Sequence, residues 1–218
     1  MQSFNHTINN KKNDHLFMPL NHMDSVYNSK NPLVRFVHRN RLKKIVENLP
    51  KKNFMKILDA GCGEGHLILE MYSINKKNIY YGVDVTEVAL KSAKKRVPFA
   101  RIEKMDLTNL KFEDNYFDII VCSEVLEHIY NYNKVIDELT RVLKKGGFLI
   151  LTFPNEFLWV LSRLFLFRWP IKVPDHVNSF SPNQIRKIVK MKLINQINLP
   201  FGLPFFFSLG CLMKFEKN

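Results

Sequence analysis

Apolar residues along the chain switch between two periods. Over Pro32–Leu49 the positions Leu33, Val34, Val37, Leu42, Ile45, Val46 and Leu49 recur at helical spacing, and Pro50 ends that run. Phe54–Asp59 is an apolar run of strand length that stops at a cluster of glycines. From there helix and strand signals alternate. A helix is expected over 65–75, a strand over Ile79–Val85, a helix from a Thr86 cap to about Arg96, and a short strand over Ala100–Lys104. A buried strand over Phe117–Cys122, a helix over Asn133–Leu143 and a strand over Phe148–Phe153 follow, with Lys144-Lys145-Gly146-Gly147 as the stop between the last two. This alternation predicts an α/β fold with a doubly wound, mostly parallel sheet and helices on both faces.

The rhythm breaks after Pro154. Phe157–Trp169 is apolar on nearly every side, interrupted by Arg163 and Arg168, and is too short and too charged to span a bilayer. A helix over Pro182–Lys192 and strands over Leu193–Leu199 and Cys211–Lys217 close the same sheet, and the proline-containing stretch between those strands reads as a loop over the sheet edge. Residues 1–24 are polar and without periodicity. The organisation expected is a flexible N-terminal arm over 1–29 and a single domain over 30–218, with an insertion over 154–180.

Composition narrows the class. The 218 residues are 46% hydrophobic and 24% charged, the balance of a globular chain and not of a disordered one. No uncharged apolar run reaches membrane-spanning length, and the first residues lack the apolar core of a secretory signal. Three widely spaced cysteines, Cys62, Cys122 and Cys211, argue against a disulfide framework or a cysteine zinc site, so a reducing cytoplasm is the expected location. The net charge of +13 is unevenly spread: +8 over residues 1–56, −1 over 57–150 and +6 over 151–218. Basic flanks suit an anionic membrane surface, nucleic acid or an acidic substrate, and equally a solvated lysine-rich surface.

The strongest chemical signal is Asp59-Ala60-Gly61-Cys62-Gly63-Glu64-Gly65, between a strand and a helix. Glycines there allow a sharp turn and close backbone approach to a ligand, and the helix start supplies N–H groups. The spacing is Gly-x-Gly-x-Gly with His66 next, which departs from the Gly-x-Gly-x-x-Gly of nicotinamide binding. Asp84 ends the next strand about twenty residues on, where a carboxylate can accept both hydroxyls of a ribose or cap the following helix. Met105 and Asp106 follow the third strand, where they could meet an adenine ring and its amine.

Together ILDAGCGEG, GVDVTEVALKSAKKR, KMDLTNLKFEDNYFDIIVCSEVLEHI and RVLKKGGFLILTFPN resemble the class I S-adenosylmethionine-dependent methyltransferases, and within them the ubiquinone-biosynthesis O-methyltransferase and methyltransferase type 11 branch. The resemblance covers roughly residues 30–192. It implies a seven-stranded Rossmann-like sheet, S-adenosylmethionine as cofactor and an acceptor-binding insertion after the fifth strand. It places Asp59, Gly61, Gly63 and Gly65 at the methionine moiety, Asp84 at the ribose, Met105 and Asp106 at the adenine, and Ser123 beside the cofactor. Asn31-Pro32-Leu33 is similar to a segment that brings an arginine near the cofactor in the quinone branch, and Arg35 stands one position off that pattern.

The second cluster is Glu124-Val125-Leu126-Glu127-His128. In a helix, Glu124, Glu127 and His128 would share one face. His128 could be a general base for an acceptor hydroxyl, aided by Glu127. Alternatively, Glu124, Glu127 and His128 could hold Mg²⁺ or a similar ion that orients and acidifies that hydroxyl. The resemblance allows both, since quinone O-methyltransferases are metal-linked and small-RNA 2′-O-methyltransferases use a comparable Glu-x-x-Glu-His with a later histidine, for which His176 is the candidate. The plainer alternative is a helix cap with a solvated Glu127. Phe157–Trp169 falls in the acceptor insertion, where Trp159, Phe165, Phe167 and Trp169 would form an apolar lid, pack as an ordinary core helix, or touch an anionic membrane.

The activity expected is methylation, at oxygen, of an apolar or lipid-linked small molecule. The alternatives are RNA 2′-O-methylation, against which stands the lack of an aromatic stacking platform, and a non-catalytic S-adenosylmethionine-binding partner subunit.

Overall fold

The computed structural model describes residues 22–165 and 175–218. In chain order the elements are α1 His22–Tyr27, α2 Pro32–Glu47, β1 Lys56–Ala60, α3 His66–Ile74, β2 Ile79–Asp84, α4 Glu87–Arg96, β3 Arg101–Lys104, β4 Phe117–Ser123, α5 Tyr132–Val142, β5 Leu143–Pro154, α6 Glu156–Phe165, α7 Pro182–Ile188, β6 Lys192–Leu199 and β7 Gly210–Glu216. They build one seven-stranded sheet in the order β3-β2-β1-β4-β5-β7-β6. The first five strands are parallel, and β7 runs antiparallel between β5 and β6. The expected doubly wound, mostly parallel sheet is therefore present, with its antiparallel end at the C-terminal strands.

Period two in the strands sorts the core into two layers. Ile57, Ile119, Val121 and Ile150 point to the side covered by α2, α3 and α4, while Leu58, Ile120, Cys122 and Leu151 point to the side of α5 and α7. All eight are essentially inaccessible, so β1, β4 and β5 are buried on both faces, as continuous apolar strand runs require. The strand order runs outward from β1 through β2 to β3 on one side and from β4 to β5 on the other, and this switch between adjacent β1 and β4 opens a crevice at their carboxyl ends, where ligands bind in such sheets.

Four local expectations change. The arm expected over 1–29 does not extend through its last residues: His22–Tyr27 is helical, Tyr27 is buried, and the Asp24 carboxylate accepts two hydrogen bonds from Arg96 at 2.7 and 2.8 Å. The earlier part of that arm lies outside the described residues, as do Phe167, Arg168, Trp169 and the side chains of Arg163 and Phe165. Thr86 stands at the start of α4 but its side chain makes no capping bond; its backbone N–H is instead held by the Asp84 carboxylate at 2.8 Å. The stop expected at Lys144–Gly147 lies inside β5, whose pairing with β4 begins at Leu143 and continues from Phe148 after a shift in register. Helix α7 ends at Ile188, earlier than its apolar spacing suggested. Among the described residues no helix is long and apolar enough to cross a membrane.

Gly82 in the middle of β2 shows how tightly α3 packs on the sheet. A Cβ there would lie 2.8 Å from Ile68 Cδ1, 2.8 Å from Ile102 Cδ1 and 2.9 Å from Cys62 Sγ. Gly82→Ala is expected to destabilise the fold by about 1–3 kcal/mol through overpacking, read as a lower midpoint in urea. An unchanged midpoint would mean that α3 is less closely held than the structure shows.

Candidate active site

The β1–α3 turn is the floor of the crevice. Gly61 and Cys62 donate backbone N–H groups to Val83 O at 2.8 and 2.9 Å, tying the turn to the end of β2. Gly61 has φ +83°, and a Cβ at this position would lie 2.4 Å from Val125 Cγ2. The requirement for glycine is therefore double, in conformation and in space. The Asp84 carboxylate accepts the Gly63 N–H at 2.9 Å, so the second strand's acidic residue also holds the glycine turn open. Met105, buried, follows β3 and donates its N–H to Asp84 O at 3.1 Å. Asp106 is exposed, and its Oδ1 accepts from both the N–H and the hydroxyl of Thr108 at 2.8 Å. The Ser123 hydroxyl pairs with that of Thr152 at 2.8 Å. Asp59, the three glycines, Asp84, Met105, Asp106 and Ser123 thus line the carboxyl ends of β1, β2, β3 and β4 in sequence order.

Asp59 is buried, 2% exposed, and its carboxyl is pushed up to about 8 by burial first and then by the charge of Asp84. Asp59 therefore keeps its proton at neutral pH, and a cation bound beside it would favour release of that proton.

Two further elements close over this turn. The α4 residue Arg96, which holds Asp24 of α1, also donates to Glu64 O at 2.5 Å, and the α1 Met23 N–H reaches Glu64 Oε1 at 3.3 Å. Tyr27 packs its ring on His66, 4.7 Å between centroids. In α2, Arg41 is buried and pairs with Glu124 at 2.9 Å. Arg35, the arginine that the sequence pattern singled out, instead donates to Ser29 O at 2.8 Å and closes the loop between α1 and α2. Arg41 continues the apolar row Val37–Ile45 at i+4 spacing, and that interruption of a core-facing row is the signal that marks it.

The Glu124–His128 segment is not the continuous helix face expected. Glu124 has φ +55°, and only Leu126–His128 forms a single 3₁₀ turn. The Glu124 carboxylate is drawn to Arg41 and accepts the Thr152 hydroxyl at 3.1 Å, which takes it out of the grouping with Glu127 and His128. His176 takes its place: ligand atoms of Glu127, His128 and His176 all lie within 4.8 Å of one another. Asn178 brings His176 there. Its side chain donates to Leu126 O at 3.2 Å and Ile129 O at 2.8 Å, while Val177 and Asn178 N–H groups bond Glu127 O at 2.8 and 3.0 Å. Nothing in the local sequence around Asn178 marks this role, because its partners are some fifty residues away.

Within this cluster the two imidazoles meet edge to face, 4.6 Å between centroids. His176 Nδ1 lies 2.6 Å from Glu156 Oε1, and His128 Nδ1 lies 3.3 Å from Asp175 Oδ2. Glu127 is 1% exposed, and among the described residues neither of its carboxylate oxygens has a hydrogen-bond partner. Burial, then the nearby Glu124 charge, pushes its carboxyl up to about 8. For His128 burial opposes the charged form, but the Asp175 bond and the Glu127 charge outweigh it and raise the imidazole to about 9. Asp175 is correspondingly held down at about 2 by that bond. Trp159, in the expected lid, is half-buried with its ring 6.1 Å from that of His38.

A glycine turn propped by the second strand's carboxylate, with acidic and apolar residues at the next strand ends, is the arrangement on which the comparisons with known proteins bear. Residues 58–151 match the family model described as a methyltransferase domain, and this match together with the relatives below supports a class I S-adenosylmethionine-dependent methyltransferase. It is 33% identical over 131 residues to an uncharacterized protein of Methanocaldococcus jannaschii, across 57% of this chain and 53% of that one. It is 28% identical over 148 residues to the ubiquinone biosynthesis O-methyltransferase of Dechloromonas aromatica, across 62% of each chain. The PH0226 protein of Pyrococcus horikoshii shares the fold, with a TM-score of 0.70 over 89% of this chain and 96% of that one at 19% identity. The chain spans between about half and two thirds of the length of these two curated relatives.

Asp59 yields a test without ligand. Its carboxyl is raised above the ordinary 3.8, so the folded state holds a proton that the unfolded state has released between about pH 4 and 8. Its contribution to stability is therefore present at low pH and is lost as pH rises through that window. Asp59→Asn should flatten the decline in unfolding free energy from pH 5 to 8.5 relative to the parent chain. Parallel stability–pH curves for the two proteins would remove Asp59 from the account.

Proposed function

We propose that this chain transfers the methyl group of S-adenosylmethionine to a hydroxyl of an apolar or lipid-linked small molecule. The observation that carries this reading is the Glu127–His128–His176 cluster, whose first two residues follow β4 on the segment that packs Val125 against Gly61. In this reading Asp59 and the glycine turn receive the positively charged methionine end, Asp84 the ribose hydroxyls, and Met105 with Asp106 the adenine. Ser123 lies between the cofactor and the cluster.

The reaction is an in-line displacement: the acceptor oxygen bonds the methyl carbon as the sulfur–methyl bond breaks, leaving S-adenosylhomocysteine. The cofactor arrives activated, so the protein's work is to position the two reactants and remove the hydroxyl proton. Glu127 and His128 are the groups placed to take that proton, with Asp175 and Glu156 fixing the rings of His128 and His176. With His128 charged and the Glu127 carboxyl raised, whichever of the two takes the acceptor's proton must first release its own.

A divalent cation such as Mg²⁺ is the second reading, and one observation favours it. A buried carboxylate without a partner, beside two imidazoles whose Nδ1 atoms are each met by a carboxylate, has the donor set and the supporting shell of a metal site. Glu127, His128 and His176 would hold the ion, and Glu124 would not. When bound, such an ion would acidify an acceptor hydroxyl.

Three outcomes test the proposal. Asp84→Ala should weaken S-adenosylmethionine binding by about 1–3 kcal/mol, a loss of ten- to a hundredfold by calorimetry, and NADH should give no heat in either protein. Unchanged affinity would detach Asp84 from the cofactor. With tritiated methyl donor, label should enter a lipid extract and not total RNA; label in RNA would assign the 2′-O-methyltransferase activity, and no label anywhere the non-catalytic subunit. Glu127→Gln and His176→Ala should each lower kcat by about 10²–10⁴ with little change in cofactor affinity. Activity that survives EDTA in the parent protein leaves Glu127 and His128 as the proton acceptors; activity lost to EDTA and restored by Mg²⁺ selects the cation.

A further inference from the structure

Between β6 and β7 the chain turns outward in a loop whose aromatic rings face solvent. Phe201, Phe206 and Phe207 are 69%, 63% and 65% exposed, unusual for rings of this size in a folded domain. The loop is nevertheless held in shape. Asn155 Nδ2 donates to Phe205 O at 2.8 Å, Ser208 Oγ to Leu203 O at 2.9 Å, and Leu209 N–H to Leu199 O at 2.9 Å. Phe205 turns inward onto Phe153, 6.1 Å between centroids. The rings that remain outside are presented by a fixed backbone.

Two helices extend the surface. Phe36 of α2 stacks on Phe201 at 5.7 Å, and Phe157 of α6, itself 60% exposed, stacks on Phe206 at 5.9 Å. Two groups of exposed rings, Phe36 with Phe201 and Phe157 with Phe206 and Phe207, are thus carried by the same loop and the two helices beside it. Exposed aromatic rings gathered in this way mark an interaction surface.

The surrounding charge identifies the partner. Residues 30–44, which carry Phe36, contain six basic and no acidic side chains, and Lys30, Arg39 and Lys43 are exposed. Residues 193–213, which carry the loop, contain no charged residue. The acidic residue adjoining the exposed rings, Glu156, is turned inward to His176. A second copy of this chain would bring two basic rims together, whereas a negatively charged bilayer complements both the rings and the rim.

We infer that the Phe36–Phe157–Phe201–Phe206–Phe207 cap docks the protein on an anionic lipid bilayer. Successive residues of α6 link the cap to the candidate active site: Glu156 points in to His176 and Phe157 points out to Phe206. Docking would set the mouth of the acceptor site at the bilayer surface. This deepens the lipid-linked acceptor reading but does not need it, since attachment is measured without any methyl transfer.

The test is co-sedimentation of the full chain with vesicles of phosphatidylglycerol and phosphatidylcholine, or of phosphatidylcholine alone, at 50 mM and 500 mM salt. The protein should partition onto the anionic vesicles about tenfold or more better than onto the neutral ones, and high salt should weaken the binding. A Phe201→Ser, Phe206→Ser, Phe207→Ser triple variant should bind about 30-fold more weakly with S-adenosylmethionine affinity unchanged. Lys30→Gln with Lys43→Gln should narrow the preference for anionic vesicles. If the triple variant does not fold, Phe206→Ser alone and the lysine pair carry the comparison. Equal partition of parent and loop variants overturns the inference, and so does a parent protein that ignores anionic vesicles at low salt. A concentration-dependent dimer that the loop variants abolish, with no vesicle binding, would reassign the cap to a second copy. Loss of methyl transfer with vesicle binding intact would count against the proposed function alone.

Discussion

The turn after the first strand passes so close to Val125 that a side chain at position 61 has no room: its Cβ would stand 2.4 Å from a methyl carbon. This approach joins two structures that parallel strand pairing alone would leave as neighbours. One is the crevice of backbone and carboxylate at the ends of β1, β2 and β3. The other is the acid–imidazole cluster after β4. Because β1 and β4 are adjacent and parallel, the glycine turn and the segment after β4 leave the sheet at the same end, and the missing side chain at Gly61 lets the turn pass directly against Val125 of that segment. Catalysis by positioning needs that closeness more than it needs any single strong group.

Buried charge is the second constraint. Asp59, Glu64, Asp84, Glu127 and Arg41 are all withdrawn from water around this cleft. Arg41 and Glu124 pair with each other across it, and Asp24, Glu64 and Arg96 form a network over the glycine turn. Burial raises the carboxyls of both Asp59 and Glu127, and at Glu127 the charges of His128 and Arg41 only partly offset it. A buried carboxyl without a hydrogen-bond partner costs free energy that a ligand can offset, and among the described residues both Glu127 carboxylate oxygens are in that position.

The parallel strands and their order of helices were legible in the sequence because each is written locally, as an apolar run followed by glycine, aspartate or a helix-start residue. The residues proposed for the cofactor could be singled out for the same reason, since each lies at or just after the end of a strand. What was not legible depends on contacts across the sheet. Glu124 was grouped with Glu127 and His128 by helical spacing, but Arg41, some eighty residues earlier, pulls its carboxylate away and the backbone adopts a left-handed conformation there. His176 enters the cluster through Asn178, whose bonds reach the 126–129 turn. The helix at His22–Tyr27 was hidden by polar residues such as Asp24, whose partner is Arg96 on another element. Arg41 itself was within reach, as a charge standing on an otherwise apolar helix row.

The central claim is that cofactor and acid–imidazole cluster share one cleft, with the methyl group facing the cluster. Isotope-edited nuclear Overhauser measurements on the protein bound to S-adenosylmethionine carrying a ¹³C-labelled methyl group test this directly. The account predicts contacts from the methyl protons to side chains of the Ser123–His128 segment, and from the adenine protons to the Met105 methyl. Methyl contacts confined to residues beyond the adenine end, or adenine contacts with the Ser123–His128 segment, would reverse the cofactor in the crevice and contradict the account.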